Sequence, residues 1–332
     1  MLKKYANRFI CPYCREELSL RVDERNEEEV KSGAFSCSSC QKEFLIQNGI
    51  PRFLHNASDI TKHTSKSFGY KWRKFGEIDE FYKKNFYDEL LPLDYEHFFE
   101  GKVVLDAGTG MGIPSYCMAE QGAKEVYGID ISDSIEIAYK NTFAFKNVMI
   151  AQGDIYEMPF RHSFFDAVVC VAVLQHMSDP KKAVDTLFNY VKPGGKLIIW
   201  VYGREGNGLV RWFVEPFRKH ISRKMSLERV LALSTILGTL FHYIACYVYK
   251  PINKRKIYLL PMNDYVMYRT EFDRMMNIHM VFDQLLAPLS YLFTKEEVEK
   301  LFDRSDVMNF RLRHHNRNSW TVICDKAKEL VS

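Results

Sequence analysis

Residues 104–112, VLDAGTGMG, set an acid at the end of a short apolar run and glycines at alternate positions, Gly108, Gly110 and Gly112. Such a loop lets a ligand lie against bare backbone, where any Cβ would collide. A dinucleotide site prefers G-x-G-x-x-G, with the helix end facing a pyrophosphate. Here the third glycine position is Ile113, followed by Pro114, so a ligand without phosphate fits better. Asp130 ends a second apolar run, and a carboxylate there can accept hydrogen bonds from both ribose hydroxyls of an adenosine. After a third run, Asp154 can receive an adenine amino group while Ile155 covers the ring.

Two further groups have spacings that can do chemistry. Cys11-x2-Cys14 and Cys37-x2-Cys40 form two knuckles able to surround one zinc. Four sulfur ligands leave no open position for water, so this zinc is structural. His279 and Asp283 stand four apart, on one face if the segment is helical, and can act as a base with its orienting acid.

The elements that must position these residues follow from periodicity. Apolar runs at 103–106, 125–130, 148–151, 165–173 and 196–202 read as strands, with helices near 113–121, 132–145 and 179–191, the order of a parallel sheet. The fourth run is apolar throughout, as expected when helices cover both faces. Ser132 is placed to cap a helix, and Thr294 with Glu297 forms a capping box. Two last strands, 307–313 and 320–324, flank a turn at 314–319. Short alternating runs and the Asn48-Gly49 turn make residues 1–55 a small β-rich unit. Residues 56–101 are a helical, aromatic connector that can serve as a flap over a ligand, with Tyr70 and Trp72 as contacts.

The net charge of +4 is concentrated: residues 203–256 carry eleven Lys/Arg against three Asp/Glu, whereas 1–60 carry nine of each. Residues 230–249 lack any Asp, Glu, Lys or Arg. A helix of that length reaches roughly 30 Å, a bilayer core. Strands of one sheet lie before and after it, however, so a single crossing would divide that sheet. Residues 204–293 therefore read as a lid or substrate insert. The cations of 218–256, including Arg218, Lys219, Arg223 and Lys224 before the run and Lys250 to Lys256 after it, suit peripheral contact with an anionic membrane.

Residues 102–203 and 294–328 resemble a class I S-adenosylmethionine-dependent methyltransferase. VLDAGTGMG resembles the cofactor loop, VYGID the ribose acid, GDIYEMPF the adenine segment, FDAVVCVAVLQHM the fourth strand and KPGGKLIIW the entry to the fifth. The resemblance implies a seven-stranded, mostly parallel Rossmann-like α/β sheet whose last strand is antiparallel. It implies cofactor contacts at Asp106, Gly108, Thr109, Gly110, Gly112, Asp130, Ile131, Asp154, Ile155 and Val171. His176 becomes a candidate proton acceptor, and His315, Asn316 and Arg317 border the substrate opening. Residues 9–54, the knuckles followed by NGIPRFL, are similar to the zinc-ribbon family that includes the small activator of tRNA and translation-factor methyltransferases.

The expected activity is methylation of an oxygen or nitrogen on a small or lipid-linked metabolite, a sugar among the candidates. An RNA methyltransferase is the alternative, disfavoured by the neutral ribbon and by the lack of an Asn/Asp-Pro-Pro-aromatic motif. A silent ribbon scaffold is disfavoured by the intact acids and glycines. The residues at the start hold no apolar signal core, which predicts a cytoplasmic protein, peripheral at the membrane surface if the insert makes that contact. Oligomeric state is not encoded legibly.

Overall fold

The computed structural model describes residues 1–54, 59–208, 210–255, 260, 263–287 and 289–328. The chain divides into two units, Met1–Asn207 with Leu289–Ser332, and Gly208–Pro288. In the first, four antiparallel strands form the amino-terminal sheet: β1 (Leu18–Asn26), β2 (Glu29–Cys37), β3 (Glu43–Gln47) and β4 (Ile50–Pro51). Alternation in β3 buries Phe44 and Ile46 and turns Glu43, Leu45 and Gln47 outward, the period-two pattern of a half-covered strand.

This small sheet shares one core with the larger one. Phe9 packs its ring 6.3 Å from Tyr127 and 5.6 Å from Phe160, while Phe35 and Phe44 close on Phe53. Arg15 donates to the Met158 carbonyl and the Tyr190 hydroxyl, both at 3.0 Å, and to the Phe160 carbonyl.

The first unit continues with helices α1 (Asp59–Phe75) and α2 (Glu80–Leu90). The parallel part follows as β5 (Val103–Ala107), α3 (Ile113–Glu120), β6 (Glu125–Asp130), α4 (Ile135–Thr142), β7 (Val148–Gln152), β8 (Phe165–Val171), α5 (Pro180–Tyr190) and β9 (Val191–Tyr202). Ser132 does not cap α4: its hydroxyl turns back to Asp130 at 2.7 Å, and the helix starts at Ile135 behind Ser134. A carboxylate offers a stronger partner than a neutral helix end.

The second unit holds α6 (Glu215–His220), α7 (Leu227–Ile244), a π turn at Ala245–Tyr249, α8 (Lys250–Lys254), α9 (Asn263–Arg269) and α10 (Arg274–Leu286). The span Leu227–Lys254 is long and apolar enough to cross a membrane, by length and composition. Val230, Ser234, Gly238 and Ala245 are its buried positions, with Gly238 against the backbone of Ile278 on α10. Ile236, Leu237, Leu240, Tyr243, Ile244, Tyr247 and Val248 are exposed. Arg218, expected among the flanking cations, is instead buried and donates to the Gln284 carbonyl at 3.2 Å. Lys256 lies outside the described residues.

The chain then returns through α11 (Lys295–Leu301), whose capping box forms as expected, to β10 (Val307–His315) and β11 (Ser319–Lys326). The large sheet has the order β10-β11-β9-β8-β5-β6-β7, with β11 antiparallel to both neighbours. This is the seven-stranded Rossmann-like arrangement expected from the sequence. Its β7 edge is covered by the small sheet, where Phe53 donates to the Gln152 carbonyl at 2.7 Å, which blocks an open strand edge.

Candidate functional site

Asp106 sits at the carboxyl end of β5 and is 1% exposed. Its Oδ2 accepts from Thr109 Oγ1 (2.6 Å), Ser115 Oγ (2.7 Å) and Ser115 N (3.0 Å), which pins the glycine loop to the start of α3. Its Oδ1 is buried with no hydrogen-bond partner among the described residues. Burial pushes the carboxyl up to about 6 in spite of those three donors. Thr109 is thus turned inward, and the loop presents its backbone rather than this hydroxyl.

Gly108 has φ +86°, and a Cβ there would stand 2.3 Å from Val173 Cγ2. On Gly110, φ +54°, a Cβ would lie 3.1 Å from the indole nitrogen of Trp72. Both positions accept only glycine without displacing a neighbour. Asp130, ending β6, receives Gly110 N on one oxygen (2.9 Å) and Ser132 N and Oγ on the other (2.8 and 2.7 Å). Burial raises its pKa as well. Asp154 accepts from Tyr156 N at 2.9 Å, burial raises its pKa, and Ile155 beside it is buried. Val171 ends β8. The carboxyl ends of β5, β6, β7 and β8 thereby carry Asp106, the glycine loop, Asp130, Asp154 and Val171 along one edge, where open α/β sheets bind ligands.

Helix α1 reaches the same loops. Trp72 lies against Gly110, Ser65 Oγ donates to the Ile131 carbonyl at 3.2 Å, and Lys71 Nζ sits 4.0 Å from the Trp72 ring centroid. Tyr70 is half-buried, with Lys74 Nζ 5.9 Å from its ring. His176 follows β8 with Nδ1 2.7 Å from the Leu289 carbonyl, so Nδ1 carries the proton. Its ring stands 5.0 Å from Phe68 and 6.1 Å from Tyr202. His279 and Asp283 both lie on α10, in the second unit.

At the far end of this edge His315 is the last residue of β10, not a turn residue, and is 3% exposed. Its Nε2 lies 2.8 Å from Asn316 Nδ2 and 3.3 Å from Asp88 Oδ2 of α2. The His315 contact holds the Asp88 carboxyl below the usual range. Asn316 and Arg317 form the turn itself, both with positive φ. Sequence reading missed Asp88, Gln175 and Trp200. Only Gln175, adjoining His176, carried a local signal.

The four knuckle cysteines bring their sulfurs within 4.8 Å of one another, with Cys11–Cys40 at 3.5 Å and Cys14–Cys37 at 3.3 Å. Zinc–thiolate bonds of about 2.3 Å in a tetrahedron separate sulfurs by about 3.8 Å, so the donor set fits zinc.

Residues 105–199 match the methyltransferase domain family. Curated relatives include phosphoethanolamine N-methyltransferase 2 of Caenorhabditis elegans, 30% identical over 152 residues (44% of this chain, 34% of that protein). The tRNA U34 carboxymethyltransferase of Campylobacter curvus is 30% identical over 125 residues (37% and 40%). The ubiquinone biosynthesis O-methyltransferase of Coxiella burnetii is 34% identical over 117 residues (35% and 50%). The chain thus spans half or less of the length of these relatives. Among solved structures, a SAM dependent methyltransferase from Aquifex aeolicus is similar at 14% identity and TM-score 0.44, over 82% of this chain and 100% of that one. The magnesium protoporphyrin IX methyltransferase of Synechocystis with bound SAM is similar at 13% identity and TM-score 0.46, over 82% and 100%. The matched span, residues 105–199, lies within the first unit.

Proposed function

We propose that the protein transfers a methyl group from S-adenosylmethionine to an oxygen or nitrogen of a small or lipid-linked metabolite. The observation that carries this reading is Asp106, a buried acid at the glycine loop whose Oδ1 has no partner among the described residues. A cofactor ammonium is the kind of group that compensates such a carboxylate. In this reading Asp130 and Ile131 meet the ribose, Asp154 and Ile155 the adenine, and Gly108, Gly110, Gly112 and Val171 line the cofactor between them. Tyr70 and Trp72 of α1 close over it. The names of the relatives include N- and O-methyltransferases, which supports either acceptor atom.

The Cys11, Cys14, Cys37 and Cys40 thiolates hold a structural zinc. The exposed apolar side chains of α7, with Lys250 and Lys254 following it, support contact with an anionic membrane surface. Calorimetry on zinc-loaded protein tests the cofactor directly: saturable, one-to-one S-adenosylmethionine binding is expected, and the absence of binding would exclude the enzyme reading.

A further inference from the structure

Burying a polar atom without a partner costs about 1–3 kcal/mol, so native proteins rarely tolerate one except where a ligand completes the bond. In the first unit Arg8, Arg52 and Gln121 hold such atoms away from the cofactor edge, and Gln175, Trp200 and His315 hold them beyond the cofactor loop. Gln175 is 0% exposed, and neither its amide nitrogen nor its oxygen has a partner among the described residues. Trp200 Nε1 and His315 Nδ1 are in the same condition.

The three residues belong to the carboxyl edges of neighbouring elements. Gln175 follows β8, and Trp200 is on β9, aligned with Val171. The rings of Trp200 and His315 are 6.4 Å apart. A row of rings, Phe68, His176, Tyr202, Trp200 and His315, runs along this edge with successive centroids 5.0 to 6.4 Å apart.

The chemistry of these atoms narrows what they can hold. An indole N–H only donates. His315 Nδ1 donates or accepts according to the tautomer: a proton on Nε2 pairs with Asp88 Oδ2 at 3.3 Å and leaves Nδ1 an acceptor. If instead the Asn316 amide donates to Nε2 at 2.8 Å, the hydrogen is on Nδ1. If the ring is protonated against Asp88, both nitrogens are N–H. Gln175 adds one donor group and one acceptor. The Asp88 carboxylate behind His315, held in its charged form, repels an anion, although Arg313 of β10 also acts on that carboxylate. Burial pushes the neighbouring Glu89 up to about 8.

We infer that Gln175, Trp200 and His315 form the acceptor subsite, and that it takes an uncharged, oxygen-bearing group such as a hydroxyl beside a carbonyl. The oxygen lone pairs accept from Trp200 Nε1 and Gln175 Nε2, and a hydroxyl pairs with Gln175 Oε1 or His315 Nδ1. This rests on the methyl-transfer reading and specifies its substrate class.

The test uses Gln175→Leu, which keeps side-chain bulk and removes both polar atoms, and Trp200→Phe, which removes the indole N–H with part of the ring. Because the Gln175 atoms are unsatisfied without ligand, Gln175→Leu should raise the melting temperature of the ligand-free protein by roughly 2–4 °C. S-adenosylmethionine affinity should stay within about twofold. Transfer of tritiated methyl from S-adenosylmethionine into a small-molecule cell extract should fall about tenfold or more. The labelled product should pass an anion exchanger at neutral pH.

A lowered melting temperature in Gln175→Leu, or unchanged transfer in both variants, overturns the subsite. A labelled product retained on the exchanger overturns the uncharged acceptor. Failure of the wild type to bind S-adenosylmethionine overturns instead the reading beneath it.

Discussion

Replacing Asp106 by Asn separates its two roles, as a clamp for the loop and as a charge for the cofactor. The amide oxygen can take the place of Oδ2 and keep the donors Thr109 Oγ1, Ser115 Oγ and Ser115 N. The amide nitrogen then falls on the unpartnered side, where it repels an ammonium. A hydrogen bond to a charged group contributes about 1.5–3 kcal/mol, so the cofactor Kd should rise roughly 10- to 150-fold. Ligand-free stability at neutral pH should hold or increase, because a buried charge has been removed. The pH dependence has a defined sign. Native Asp106 titrates near about 6 against an ordinary 3.8, so between these values the folded protein binds more protons than the unfolded chain. Ligand-free stability therefore falls as pH rises through that window, while cofactor affinity increases as the carboxylate ionises. Calorimetric titrations at pH 5 to 8, with melting curves on the same samples, measure both. An Asp106→Asn protein with a near-normal Kd and a melting temperature several degrees lower would reduce Asp106 to a structural clamp.

Chelation of zinc, or Cys14→Ser, should loosen the core that joins Phe9, Phe35 and Phe53 to Tyr127 and Phe160, with a melting temperature lower by 5 °C or more on the order expected for a few kcal/mol. It should also weaken cofactor binding, since Arg52 of the small sheet holds Gln152, whose amide reaches the Ile131 carbonyl at 3.2 Å; differential scanning calorimetry and titration read the two effects. Trp72→Ala removes the ring over Gly110 and should raise the cofactor Kd about tenfold with little change in melting temperature, read by titration. Ile236→Glu with Leu240→Glu should abolish sedimentation with vesicles containing anionic lipid while leaving cofactor affinity intact; equal sedimentation of wild type and variant would remove the membrane contact.

The large sheet was legible because strands covered on both faces must be apolar throughout, and Glu125–Asp130 runs between the limits its sequence sets. The glycine loop and the acids at 106, 130 and 154 were legible for a related reason: each closes an apolar run, and a parallel sheet brings all such ends to one edge. Trp200 and Asp88 gave no comparable signal, and Gln175 only its place beside His176. They come from three separate elements, β9, α2 and the turn after β8, whose placement local periodicity does not encode. His315 was misplaced into a turn because the polar run His314 to Ser319 hides the last residues of β10, where stacking of His314 on Trp320 at 4.3 Å extends the strand pair. In the insert, the uncharged run read as one helix and lies within the helical span Leu227–Lys254, which passes through a π turn at Ala245–Tyr249.

The central claim is methyl transfer from S-adenosylmethionine by the first unit, with Asp106 at the cofactor. Its most direct measurement is the transfer of tritiated methyl from S-adenosylmethionine into extract by zinc-loaded protein, run beside the Asp106→Asn variant. Label carried into an acceptor by the wild type, and lost with the variant, is the result expected. A wild type that binds no cofactor and transfers no label, or a variant that transfers as well as the wild type, would contradict it.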